Sequence, residues 1–207
     1  MKVISIISQK GGTGKTTLSL HLAVAAELNG FPTVVLDLDS QASAAGWADN
    51  RKHEHPAVIS LQANRLSHAL KTAADNGAAL AIVDTAPHTS EASMSAAEAS
   101  DLVLIPVRPG ILDLRAIATT AKIVKIVDKQ AFAILNSAPP RAPKLVEDAL
   151  LAIKQHNVAI APVILHQRSA YTHSLTLGLT ASEYEKDGKA AEEIANLFAW
   201  IKSLLSI

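Results

Sequence analysis

A β-branched run, Val3–Ile7, passes through Ser8 into Gln9-Lys10-Gly11-Gly12-Thr13-Gly14-Lys15-Thr16-Thr17, and a helical pattern then extends from Lys15 to Asn29. A strand that turns through glycines straight into a helix begins a strand–helix–strand unit, and such a crossover returns the chain to a parallel neighbour. The alternation continues down the chain. Candidate strands are Val3–Ile7, Thr33–Leu38, Ala57–Leu61, Ala79–Val83, Leu102–Val107, Ala131–Asn136 and Ala159–Ile164. Helical patterns occupy Lys15–Asn29, Arg65–Asn76, Glu91–Ala99, Asp113–Lys129, Ala142–His156 and about Asp187 to Leu205. Several strands are apolar without alternation, as in a sheet covered on both faces. The expected fold class is therefore α/β, a mostly parallel twisted sheet with helices on both faces. Gly30 and Asn76-Gly77 stand where helix C-caps belong.

The 207 residues carry no internal repeat, and Pro139-Pro140-Arg141-Ala142-Pro143 reads as a loop before a helix. A boundary there would leave a C-terminal piece too small to bury its own core, so residues 1–207 are expected to form a single domain. Nineteen Lys and Arg balance nineteen Asp and Glu, which argues against a globally basic nucleic-acid binder. With no cysteine, disulfide frameworks, thiol nucleophiles and Cys-ligated clusters are excluded together. Aromatic residues make up 3%, too few for a platform that stacks several bases. No apolar stretch reaches the roughly 20 residues of a membrane span. A soluble cytoplasmic protein is the expectation.

The glycine string has the context of a phosphate-binding P-loop. Gly11, Gly12 and Gly14 let the backbone approach a phosphate closely. Successive N–H groups of Gly11, Gly12, Thr13 and Gly14, and of Lys15, Thr16 and Thr17 at the helix N-terminus, supply partial positive charge. Lys15 would reach the β- and γ-phosphates, and the Thr16 hydroxyl would ligate Mg²⁺. Two further strands end in carboxylates. Thr33–Leu38 delivers Asp37 and Asp39, which period-two geometry points the same way, to the end of the sheet where α/β ligands sit. Ala81-Ile82-Val83-Asp84 is an apolar strand ending in an aspartate, an arrangement that holds Mg²⁺.

The string departs from G-x-x-x-x-G-K-[ST]: Gln9 occupies the first glycine position and Lys10 follows. With that departure the chain resembles the deviant Walker A ATPases, the ParA/MinD superfamily, and most closely the short plasmid-type ParA partition proteins. The resemblance implies a P-loop NTPase-like fold, ATP/ADP and Mg²⁺ as cofactors, and a homodimer formed on ATP binding. It makes Lys10 the signature lysine, which reaches the partner's ATP phosphates. It assigns Asp39 the positioning of the hydrolytic water, although Ser40 stands where the family has proline. Thr85-Ala86-Pro87 resembles the second switch, and Pro106–Asp113 the loop lining the nucleotide and dimer face. Asn136 falls where the superfamily often places Asn against adenine, and also where an Asn is ordinary turn chemistry. Gln167-Arg168-Ser169-Ala170-Tyr171 resembles a late string near the base.

Two functions remain open at this level. The first is ATP-dependent DNA partition: the ATP-bound dimer binds nucleoid DNA without sequence preference, and hydrolysis stimulated by a small centromere-binding ParB-like protein releases it. The alternative is a ParA/MinD-like ATPase that positions another cargo or acts at the membrane surface. Cations available for DNA lie late in the chain, at Lys144, Lys154, Arg168, Lys186, Lys189 and Lys202. The last turns, Ala195–Ile207, hold one charge, Lys202, and their apolar stripe reads as core. The eight histidines form no ligand string; His53 and His55 lie close together in a polar loop.

Overall fold

The structure, a computed structural model, describes residues 1–87 and 89–207. The chain order is β1 (Lys2–Ile6), α1 (Lys15–Leu28), β2 (Thr33–Asp37), α2 (Ser43–Asp49), β3 (Ala57–Ser60), a 3-10 turn (Ala63–Arg65), α3 (Leu66–Asp75), β4 (Leu80–Asp84) and α4 (Ser90–Glu98). It continues through β5 (Leu102–Val107), α5 (Ile111–Val127), β6 (Ala131–Leu135), α6 (Pro143–Lys154), β7 (Ala159–Ile160), α7 (Ser169–Thr176), α8 (Ala181–Tyr184) and α9 (Lys189–Leu205). Among the described residues the strands form one seven-stranded sheet, ordered β3-β2-β4-β1-β5-β6-β7. Each neighbouring pair is parallel.

Alternate residues of the central strands feed two separate cores. Ile4, Ile6, Val35, Leu80, Ile82, Leu102 and Leu104 face Leu18 and Leu22 of α1 and Ile194, Leu197, Phe198 and Ile201 of α9. Val3, Val34, Leu36, Ala81, Val83, Val103 and Ile105 pack against Ala92 and Ala96 of α4, Ile117 and Val124 of α5 and Ile153 of α6. Burial on both faces explains why these strands read as unbroken apolar runs. Each fully buried Leu, Ile or Phe stabilises the fold by about 1.5–3 kcal/mol. The stripe expected near the C-terminus is core: Ile194, Leu197, Phe198, Ile201 and Leu205 of α9 are buried.

Two local departures have physical causes. The last strand, expected over Ala159–Ile164, spans only Ala159–Ile160, because Pro162 has no N–H for a ladder. Leu165 resumes the connection by donating to the Leu135 carbonyl. The short helices α2, α7 and α8 were not marked in the sequence, since seven, eight and four residues carry too little periodicity. The helix C-caps follow expectation, with Gly30 at φ +81° and Gly77 at φ +87°.

This topology gathers the site. Asp37 and Asp84 are register partners on β2 and β4, and Ile6, at the end of β1, is Asp84's partner on the other side. The glycine loop leaves β1 between β4, which ends in Asp84, and β5, and Asn136 follows the end of β6 one strand further on.

Candidate functional site

The loop between β1 and α1 requires glycine at two positions. Gly12 has φ +74° and Gly14 φ +93°, conformations that side chains disfavour. A Cβ on Gly14 would also stand 2.4 Å from Asn136 Nδ2. Gln9 needs no glycine backbone. It is buried, and its Nε2 donates to Ser93 Oγ at 3.0 Å, tying the loop's first residue to α4. Thus the departure from the strict glycine pattern is a packing contact.

Lys15 is buried in the first turn of α1, and its Nζ donates to the Lys10 carbonyl at 3.2 Å. Burial lowers its pKa, while the charges of Asp84 and Asp39 oppose that fall. Asp84 is fully buried, and neither of its oxygens has a hydrogen-bond partner among the described residues. Burial raises its pKa to about 7; the Thr16 hydroxyl and Lys15 act against this and Asp37 adds to it. A buried carboxylate left uncompensated costs several kcal/mol unless a cation or proton meets it. Asp84 and Thr16 therefore fit a hydrated divalent cation, and the N–H-rich loop with Lys15 fits the phosphates that would share it.

The two carboxylates at the end of β2 part company. Asp37, expected to point with Asp39, turns inward. Its Oδ1 accepts the Asp39 N–H at 2.9 Å and its Oδ2 the Ala44 N–H at 3.0 Å. Backbone amides thus consume Asp37, which brackets the loop carrying Asp39. Asp39 is half-buried, and its Oδ1 accepts the Gln41 N–H at 2.9 Å. Its charge, with that of Asp84, opposes the fall in the Lys15 pKa.

Lys10 leaves the loop toward α5, where its Nζ pairs with Asp113 Oδ2 at 2.5 Å. Asn136 donates from Nδ2 to the Thr13 carbonyl at 2.7 Å and accepts the Ser137 N–H through Oδ1 at 2.9 Å. It braces the loop from the end of β6 and also lines a cavity of about 480 Å³. Gly14, Thr17, Arg108, Gln167, Arg168 and Tyr171 line the same cavity, which continues the glycine loop sideways. The volume lies within the range of small-ligand pockets.

Several of its residues were not singled out by sequence reasoning. Glu193 of α9 binds the wall of the cavity: it accepts from His166 Nδ1 at 2.7 Å, from Arg168 Nη2 at 2.6 Å and from Tyr171 Oη at 3.0 Å. His21 lines the cavity and is fully buried, its Nδ1–H on the Thr17 carbonyl and its Nε2 without a partner among the described residues. The visible signal was a histidine in the stretch Leu18–Ala26, where Ser19 is the one other polar residue. His53 and His55 are exposed, and no cluster of metal-ligating side chains with three or more His, Asp or Glu occurs among the described residues. His88 lies outside the described residues.

Two of the expected DNA-facing cations are spent elsewhere. Arg168 is held by Glu193, and Lys202 lies over the Phe31 and Phe198 rings with its Nζ on Asn29 Oδ1. Lys144, Lys154, Lys186 and Lys189 are exposed.

Fold and site together define a parallel α/β protein built around a phosphate-binding loop. Residues 4–178 match the CobQ/CobB/MinD/ParA nucleotide binding domain, and the chain belongs to that family. It is 28% identical over 216 residues to protein ParA of Rhizobium radiobacter, covering 99% of this chain and 96% of that one. It is 26% identical over 195 residues to maintenance of carboxysome distribution protein A of Gloeobacter kilaueensis, covering 93% and 88%. The fold is that of the septum site-determining protein MinD complexed with Mg-ADP from Pyrococcus horikoshii, with TM-score 0.75, 20% identity, and 99% and 97% of the two chains covered.

Proposed function

We propose that this chain is a Mg²⁺-dependent ATPase of the partition type, working as a single domain whose ATP-bound dimer binds DNA without sequence preference. The observation that carries the ATPase reading is Asp84, a buried carboxylate with no partner among the described residues, beside Thr16 and Lys15. A magnesium ion held there would neutralise charge on the β- and γ-phosphates. The amides of Gly11, Gly12, Thr13, Gly14, Lys15, Thr16 and Thr17 orient the phosphate oxygens, and Lys15 adds a point charge from a site where water is sparse. Asp39 orients the attacking water and accepts its proton. Asn136 and the cavity beside it receive the nucleoside. Lys10 completes the partner subunit's site once ATP recruits a second copy.

Partition is preferred to a membrane role for a physical reason. Membrane-surface binding needs an amphipathic helix with a free apolar face, and the apolar stripe of α9 is occupied by the core. Among the described residues, no helix is long and apolar enough to cross a membrane. The relation to a ParA protein over nearly the full length of both chains supports DNA as the surface, a nucleoid-associated location, and a small centromere-binding ParB-like protein as the trigger of hydrolysis. Positioning of another cargo, such as the carboxysomes named in the second relative, uses the same cycle.

The test is phosphate release from ATP with and without Mg²⁺ and duplex DNA, alongside flotation with liposomes of anionic lipid. Mg²⁺-dependent turnover together with ATP-dependent retention on DNA is expected. ATP-dependent flotation without DNA retention would move the assignment to the membrane alternative.

A further inference from the structure

Helix α2 follows Asp39 by four residues and is only seven residues long, with Ala44 and Trp47 as its buried side chains. A helix this short has almost no stability of its own. Its near end is held by Asp37, which accepts the Ala44 N–H. Its far end runs into Arg51, whose side chain is 5% exposed although it carries a full charge.

The guanidinium of Arg51 is used on three sides. Its Nε donates to the His55 carbonyl at 2.9 Å, Nη1 to the Gly178 carbonyl at 3.0 Å, and Nη1 and Nη2 to the two oxygens of Glu183 at 3.0 and 2.7 Å. Its carbon lies 4.8 Å from the centre of the Trp47 ring, and Trp47 Nε1 donates to the Leu179 carbonyl at 3.2 Å. The contact is close at the backbone as well. A Cβ on Gly178 would stand 2.5 Å from the Asn50 carbonyl oxygen. Glu183 is fixed in turn by the Thr180 N–H at 2.8 Å, as part of the capping box of α8. Hydrogen bonds from Arg51 and Thr180 outweigh its burial and hold its carboxyl below the ordinary value.

A bidentate, desolvated pair of this kind specifies geometry more than it adds stability. The geometry it specifies lies between two parts of the site. On one side is the segment Leu38–Ala42 bearing Asp39. On the other is the turn between α7 and α8, and α7 carries Tyr171 on the nucleoside wall. We propose that Arg51, through its bidentate pair with Glu183, is a positioning residue for Asp39: it fixes the far end of α2 to α8 and the turn that joins it to α7, so that the loop carrying the water-orienting carboxylate is held at both ends. The proposal rests on the ATPase reading for its catalytic consequence but not for its mechanical one.

Two readouts separate these. Amide hydrogen exchange of residues 38–47 reports the anchoring directly. Single-turnover ATP hydrolysis, set beside ATP affinity, reports the consequence. With Arg51→Met or Glu183→Gln, exchange across 38–47 should quicken about tenfold while the central strands stay protected. Hydrolysis should fall roughly 10- to 100-fold, with ATP affinity within about twofold of wild type, as expected when a reacting group is displaced by an ångström or less. Arg51→Lys should recover part of the rate, and the Arg51→Met/Glu183→Gln double variant should be no worse than either single one. Should Arg51→Met fail to fold, the near-isosteric Glu183→Gln decides. Wild-type exchange and rate in the folded variants would overturn the proposal, as would equal losses of rate and affinity with exchange raised throughout. If wild type itself hydrolyses no ATP, the ATPase reading falls and the exchange measurement still decides the anchor.

Discussion

Lys10 and Asp113, 103 positions apart in sequence, form an ion pair within one chain, Nζ to Oδ2, that draws the phosphate-binding loop onto the first turn of α5. The other Asp113 oxygen is buried without a partner among the described residues. Asp113 thus competes for the cation that, in the proposed cycle, belongs to the partner subunit's nucleotide. Lys10→Ala should leave a monomer that still binds ATP. Asp113→Asn keeps the shape but removes the competing charge, and should strengthen ATP-dependent self-association. Light scattering with a non-hydrolysable ATP analogue checks both; an unchanged dimer in Lys10→Ala would contradict the assignment.

Lys15→Ala removes the buried point charge at the end of the loop while leaving the backbone amides in place. Turnover should fall roughly 100-fold or more, in the range seen when one charge-stabilising donor is lost from an active site. Steady-state phosphate release at saturating Mg²⁺-ATP measures it. Wild-type turnover in this variant would remove the phosphate-binding assignment from the loop.

Asp39→Ala should separate binding from chemistry. Asp37 and Lys15 remain, so ATP affinity should change by less than a few fold, whereas single-turnover hydrolysis should drop about 100-fold with loss of the proposed general base. The ATP-bound state then accumulates. A normal single-turnover rate would exclude Asp39 from the reaction.

Much of this arrangement was readable from residues alone, for reasons tied to particular positions. The strands ending in Asp37 and Asp84 were legible because both faces are packed, which makes the runs uniformly apolar. Gly12 and Gly14 were legible because their positive φ leaves few alternatives to glycine. The inward turn of Asp37 was not, since period-two geometry describes a strand and the chain leaves the strand at that residue. Helix α2 escaped notice because its order comes from Arg51 and Trp47 contacts with residues near 180. Likewise, the capture of Arg168 by Glu193 and of Lys10 by Asp113 depends on partners 25 and 103 positions away. Such pairings are set by tertiary packing and leave no local pattern.

The buried His21 gives the fold an acid-sensitive point. Burial lowers its pKa from 6.5 to about 4, against the pull of the Thr17 carbonyl. Between those values the unfolded chain binds a proton that the folded one refuses, so stability rises with pH across that window and is lost as pH falls from about 6.5 toward 4. The effect amounts to about 3 kcal/mol at most. Urea denaturation at pH 7.5 and pH 5 should show the difference, and His21→Phe should shrink it. Identical pH dependence in the two proteins would place the acid sensitivity elsewhere.

In the proposed cycle, ATP switches on an affinity for DNA. With zero net charge, and with Arg168 and Lys202 already engaged, one subunit offers scattered exposed lysines and arginines. Pairing two copies makes the second set of phosphate contacts intramolecular, so affinity rises without new residues. The most direct measurement is fluorescence anisotropy of two short duplexes of unrelated sequence at low salt, with no nucleotide, with ADP, and with a non-hydrolysable ATP analogue. Binding should appear only with the analogue, be alike for both duplexes, and weaken steeply as salt is raised, as phosphate contacts require. Free duplex at low salt with the analogue present would contradict the partition role and leave the ATPase to another surface.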